Sequence, residues 1–162
     1  RPGLWPYGAE DPSLKKVAAA LKRGLLPLCG GGRSRINTVH SGNLAHGLHR
    51  AVLAPAAVGR TIVVADDGAP SWKELFTEIA ELCGARPPRL DLPLPLARFA
   101  GAVSEDVFSV IAPDREPPLT RYRAALMQAD MHFSAEGARE LLGYRPRLSR
   151  TEALEQSLGQ HG

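Results

Sequence analysis

The sequence predicts a mixed α/β fold, rich in helices and short of strands. Three observations carry this. Segments with apolar residues at helical spacing recur along the chain, several of them opened by a capping residue. Between them lie brief extended runs, of which Thr61-Ile62-Val63-Val64-Ala65 is the clearest, bounded by Gly59 and by Asp66-Asp67-Gly68. A β-branched run with no polar alternation suits a strand covered on both faces, as in a parallel sheet.

Taken in order, Arg1–Leu4 reads as the end of a strand and Trp5-Pro6-Tyr7-Gly8 as the turn it enters. Asp11 then caps a helix with Pro12 at its first position, and Leu14, Val17, Ala18 and Leu21 recur at helical spacing until Gly24. Leu25–Cys29 is a short apolar strand, Gly30–Arg33 a flexible hairpin loop, and Ile36–Val39 a second short strand. A helix is expected from about Asn43 to Leu53, with Asn43 as a cap and Pro55 as the stop. Ser71-Trp72-Lys73-Glu74 forms a capping box for a helix that runs to about Cys83-Gly84. Arg89–Leu92 is a further strand, Leu96–Ile111 an apolar helix and Leu119–Gln128 another helix. His132-Phe133 is a very short strand, Ser134 opens a helix ending at Gly143, and Ser149-Arg150-Thr151-Glu152 is a second capping box.

The predicted strands at Arg1–Leu4 and Thr61–Ala65 look like central members of a sheet whose neighbours are missing. A buried parallel strand needs partners on both sides for its backbone groups, which points to sequence upstream of Arg1.

Composition bounds the function. The chain has 162 residues, 44% of them hydrophobic and 23% charged, as in one ordinary globular domain. A net charge of +3 is too small to argue for a nucleic-acid partner, and the chain is expected to have none. Its two cysteines, Cys29 and Cys83, have no CxxC spacing and read as small buried hydrophobes in a reducing, cytoplasmic setting. No apolar run is long enough to span a membrane.

No motif supplies chemistry on its own. Gly30-Gly31-Gly32 lacks both the ending of a P-loop and the spacing of a dinucleotide turn. His40, His46 and His49 lack a third ligand in good geometry, so no metal is expected. Asp66-Asp67 stands where strand meets loop, and turns explain it. The arginines at 139, 145, 147 and 150, around Tyr144, suit helix termini. No residue of the chain is expected to be catalytic.

Several passages, in order, resemble the C-terminal portion of extended short-chain dehydrogenases/reductases. They are Arg1-Pro2 through Tyr7-Gly8; Gly32-Arg33 with Thr38–Ala45; Ile62–Leu75; Pro118–Arg123; and Phe133–Pro146. The likeness is to the branch of the NAD-dependent epimerase/dehydratase superfamily that includes the 3β-hydroxysteroid and sterol dehydrogenases. It implies a helix-rich C-terminal lobe of a Rossmann-type enzyme that carries a few short strands and the last strands of a parallel sheet. Residues 1–162 would form one substrate-side lobe, with 1–8 and about 59–84 belonging to, or packing on, an absent dinucleotide-binding half.

The resemblance further implies that the complete enzyme uses NAD or NADP and moves hydride to or from an apolar alcohol or ketone, sterol-like or a smaller secondary alcohol. The glycine fingerprint and the YxxxK pair of the family are not in this chain, so the chain alone would be inactive and would bind no dinucleotide. Pro2, Gly3 and Leu4 would line the nicotinamide pocket. Trp5 and Tyr7 would sit near the substrate mouth, Phe99, Val103 and Phe108 would wall an apolar cavity, and Arg121 and Tyr122 would face substrate.

Three departures stand out. Trp5-Pro6-Tyr7 is about one residue longer than the family's turn, and Ser41-Gly42 replaces a valine and an acid. Ile36 stands where nucleotide-sugar epimerases carry an arginine for a diphosphate, which argues against a nucleotide-sugar substrate. A homo-oligomer is left open. The alternative is a stand-alone, non-catalytic module that binds a ligand or oligomerises.

Overall fold

The computed structural model describes residues 1–112, 117 and 119–159; Pro118, which begins one of the family-like passages, lies outside them. The α/β class holds, with helices predominating and strands of two or three residues.

β1 (Trp5–Tyr7) pairs in parallel with β3 (Thr38–His40), Trp5 opposite Thr38 and Tyr7 opposite His40. A second parallel pair joins β2 (Leu28–Cys29) to β4 (Asp91–Leu92). The first strand thus lies later in the chain than the sequence predicts, and the passage 1–4 is joined to the fold through Pro2 opposite Val64.

Thr61–Ala65 departs from expectation. It is not a continuous strand: Val64 donates to the Arg1 carbonyl and accepts from the Gly3 amide, both at 2.8 Å, but Thr61 is exposed and Ile62 and Val63 are only half-buried. β-branching favours an extended backbone, yet a ladder needs a neighbour at each step, and here only Val64 and the Ile62 carbonyl, which accepts from the Arg1 amino group, meet the passage 1–4. Leu25–Cys29 shrinks likewise to β2, with Leu25 in solvent.

The glycine passage is no flexible hairpin. Gly30, Gly31 and Gly32 form one tight turn with φ of +62°, +77° and +59°, which side chains with a Cβ rarely adopt. Its Gly31 amide donates to Asp91 Oδ1 at 2.8 Å, tying the turn to β4.

The helices follow their signals closely. α1 (Pro12–Lys22) begins where Asp11 accepts from the amides of Ser13 and Leu14. α2 (Ser41–Val52) starts two residues earlier than expected, because His40 takes the capping role and its Nδ1 accepts from the Gly42 amide. α3 (Trp72–Leu82) carries the full Ser71/Glu74 capping box. α4 (Leu94–Ile111) and the short α5 (Arg121–Leu126, capped by Thr120) pack together at Gly101, where an added Cβ would come within 2.7 Å of the Arg121 nitrogen. α6 (Glu136–Leu142) ends at left-handed Gly143, and α7 (Arg150–Gly159) begins at Ser149, which exchanges hydrogen bonds with Glu152. The His132-Phe133 strand is replaced by a bridge from Met131 to Ile36, beside which the Phe133 amide donates to Asn37 Oδ1.

The main core joins α1, α3 and α7 through Leu14, Leu21, Leu75, Phe76, Ile79 and Leu154. A smaller one gathers Val39, Val64, Leu142 and Tyr144 under α2 and α6. Among the described residues no helix is long and apolar enough to cross a membrane.

Candidate functional site

A cavity of about 650 Å³ opens between α1, α3 and α5. Its walls are mainly apolar: Leu4 and Trp5 ahead of α1, Val17 and Ala20 on α1, Leu26, Ile36, Trp72 and Phe76, and Leu126 with Met127. Lys16, Arg23 and Arg123 add positive charge, and Ser13, Thr120 and Tyr122 add hydroxyls.

Sequence determines this shape locally. The Asp11 carboxylate that caps α1 also accepts from the Trp5 indole at 3.0 Å, so the helix start fixes the aromatic wall. Trp5 stacks on Trp72 with ring centroids 6.1 Å apart, and Trp72 leans on Phe76 at 5.4 Å. The buried indole nitrogen of Trp72 has no hydrogen-bond partner among the described residues. Trp72 thus meets the cavity with its apolar ring, its nitrogen being closed off from solvent.

Of the residues that the sequence singled out, Leu4, Trp5 and Tyr122 line this cavity, as does Ile36. Pro2 and Gly3 are engaged with Val64, and a Cβ on Gly3 would meet the Asn37 carbonyl at 3.2 Å. Tyr7 is buried behind the wall, edge-on to His40 at 5.5 Å. Phe99 and Val103 lie on the exposed face of α4 and Phe108 is half-buried; none lines the cavity. Arg121 pairs with Glu105 at 2.7 Å on the surface. Sequence reading missed Val17, Leu26, Trp72, Phe76 and Met127 as cavity residues. The signal was the second apolar edge of α1 and the aromatic pair at the start of α3, both of which pass equally well for core.

A polar hub lies beneath the strands. Asp66 is buried and accepts from the His40 amide at 3.0 Å, from Asn43 Nδ2 at 2.7 Å and from Thr38 Oγ1 at 3.4 Å. Asn43, fully buried, also accepts from the amides of Arg147 and Leu148 and donates to the Leu148 carbonyl. The predicted cap is therefore a cross-link, because its side chain reaches 105 residues along the chain rather than back to its own helix. Burial pushes the Asp66 carboxyl up from its ordinary value, and the Asn43 amide and His40 amide pull it partly back. Burial, then the Asp66 charge, pushes the Tyr7 phenol up. Burial lowers the His40 imidazole against the pull of Asp66. This hub holds neutral or hydrogen-bonded groups in place and offers no displaceable ligand position.

The other flagged residues are structural. Arg139 pairs with Asp67 at 2.7 Å and Arg150 with Glu78 at 2.7 Å, while Tyr144 is buried. His46 lies against Tyr144, ring to ring at 5.9 Å. Cys29 is buried and Cys83 half-buried; both are free thiols, pushed up by burial.

A helix-rich α/β fold of this kind recurs in solved structures. The crystal structure of gox2253 superposes with a TM-score of 0.69 at 23% identity, over 100% of this chain and 48% of that one. PA4631, described as a nucleoside-diphosphate-sugar epimerase from Pseudomonas aeruginosa, gives 0.70 at 19%, over 98% and 45%. At these identities the likeness concerns the fold.

In sequence, the chain is 31% identical over 157 residues to a 2-alkyl-3-oxoalkanoate reductase of Stenotrophomonas maltophilia, covering 93% of this chain and 47% of that protein. It is 26% identical over 161 residues to the decarboxylating sterol-4-alpha-carboxylate 3-dehydrogenase of Mus musculus, covering 94% and 44%. No family model matches the chain. Its homologues are thus reductases and dehydrogenases of the short-chain kind, a sterol dehydrogenase among them, and the partial coverage is consistent with a C-terminal portion of such enzymes. It spans about half the length of the curated relatives it matches.

The family uses NAD or NADP. The residues here do not fit a whole dinucleotide. The glycine turn is closed by Asp91 and leads into no helix, and Gly3 is enclosed by backbone. No step of the chemistry is therefore assigned to them.

Proposed function

We propose that this chain is the substrate-binding lobe of an NAD(P)-dependent oxidoreductase acting on an apolar ketone or secondary alcohol. The carrying observation is the cavity, which joins Leu4 and Trp5 to an apolar wall built from α1, α3 and α5. In the family pattern Leu4 would line the nicotinamide pocket and Trp5 would sit near the substrate mouth. Its volume falls within the ~300–1,000 Å³ usual for small-molecule sites. Ile36, buried to 1% exposure on the cavity wall, favours an alkyl group over a diphosphate. The 2-alkyl-3-oxoalkanoate reductase relative supports a ketone that carries an alkyl group.

Leu4, Trp5 and Tyr122 are the proposed substrate-lining residues, and Trp72 adds an apolar ring to the wall. Hydride transfer belongs to a dinucleotide-binding half outside these residues, on which 1–8 and about 59–84 pack. The chain alone is inactive.

Both tryptophans of the chain line the cavity, so intrinsic fluorescence reads its occupancy. Titration with a 2-alkyl-3-oxoalkanoate ester should shift tryptophan emission saturably, while NADH and NADPH give no binding by calorimetry. Micromolar NADH affinity would overturn the division of labour, and an unresponsive emission would overturn the cavity assignment.

A further inference from the structure

We propose that the mouth of the cavity docks on a lipid surface that carries anionic headgroups. The described residues that both line the cavity and stand exposed are Ser13, Lys16, Ala19, Arg23, Leu25 and Tyr122. Two of them are cations and none is an acid. Leu25 is 68% exposed and Tyr122 70%. Both belong to the same lining as Leu26 and Leu126, so the protein presents apolar surface outside the mouth as well as within it.

The build of α1 brings charge to this rim. At ~100° per residue, Lys16 and Arg23 stand only about 20° apart around the helix. The buried Leu14, Ala18 and Leu21 hold its opposite side. Lys22 adds a further exposed cation at the end of α1. Gly24 then turns the chain in the left-handed region, with nothing within 4 Å of where a Cβ would stand, and Leu25 follows into solvent. From Pro12 to Ala65, the stretch that supplies α1 and this corner, there is no aspartate or glutamate.

Cations beside an exposed leucine and a tyrosine ring suit the boundary between headgroups and acyl chains. Lys22 and Arg23 meet the phosphates, Leu25 enters the acyl edge, and the Tyr122 ring lies between. Charge and the cavity behind the mouth together select the occupant. An acidic protein would answer the cations but would close the opening to an apolar ligand. A lipid surface answers them and delivers such a ligand, because an alkyl ketone partitions into the same acyl layer. The exposed face of α4 lacks this match, having one arginine against two acids, so its Phe99 serves as the control.

Flotation of the full chain on a density gradient, with no added ligand, tests the docking. The chain should rise with phosphatidylcholine–phosphatidylglycerol vesicles, stay behind with phosphatidylcholine alone, and be released by added salt. Lys22→Gln with Arg23→Gln should weaken binding by roughly tenfold. Leu25→Ser should weaken it comparably, and Phe99→Ser should leave it as it is, with unchanged circular dichroism showing that each variant is folded. No flotation with the anionic vesicles, equal flotation with both kinds, or a loss that follows Phe99 instead of Leu25 overturns the proposal. Tryptophan emission reads the cavity in vesicle-free solution, so a failure of the function proposed above is distinguishable from a failure to float.

Discussion

Asn43 shows how one amide can hold distant parts of a chain. It satisfies Asp66 on one side and two backbone amides on the other, all out of water. Replacing it by alanine strands those groups, which should cost about 3 kcal/mol by chemical denaturation. The carboxylate beside it sets a pH dependence. Because burial holds the folded pKa of Asp66 above its unfolded value, folding takes up a proton there. Its contribution is therefore fullest below the unfolded pKa and fades as pH rises through the folded one. The stability of wild type relative to Asp66→Asn should accordingly fall as pH rises from the ordinary carboxylate range through the raised folded value. None of these roles was readable in sequence. An asparagine near a helix start looks like a cap, and its partners at 147 and 148 belong to another passage altogether.

Elements were more readable than residues, wherever their signal is local. Asp11-Pro12 and the box at Ser71–Glu74 each bond within a few residues, so the helix starts appear where the letters place them. Ser71→Ala should lower stability by about 1 kcal/mol in thermal or denaturant unfolding. The Glu74 carboxyl is held below its ordinary value first by the Ser71 amide and then by the Ser71 hydroxyl. This cap therefore weakens as pH falls through that range, opposite in sign to Asp66. Strands fared worse, since their existence depends on neighbours far along the chain. Thr61–Ala65 has every β-forming residue it needs and still meets the passage 1–4 only through Ile62 and Val64. The apolar letters of α4 were read as a cavity wall because periodicity tells that a face is apolar but not what covers it.

For the whole molecule, order of passages proved more informative than any single motif. Family-like stretches spread from Arg1 to Pro146 anticipated the lobe that the superpositions display, although each alone was weak. The cavity itself stayed hidden, for it draws its wall from positions 4 to 127, and no window of sequence contains it.

The bond from Asn43 to Leu148 has a consequence for how the protein is made. A nascent chain leaving the ribosome presents Asp66 long before residues 147 and 148 emerge, and until then Asn43 has only water to answer it on that side. This interior cannot close until the segment around residues 147 and 148 has emerged. A polypeptide halted at Tyr144 should stay protease-sensitive, while one extended through Ser157 should resist digestion.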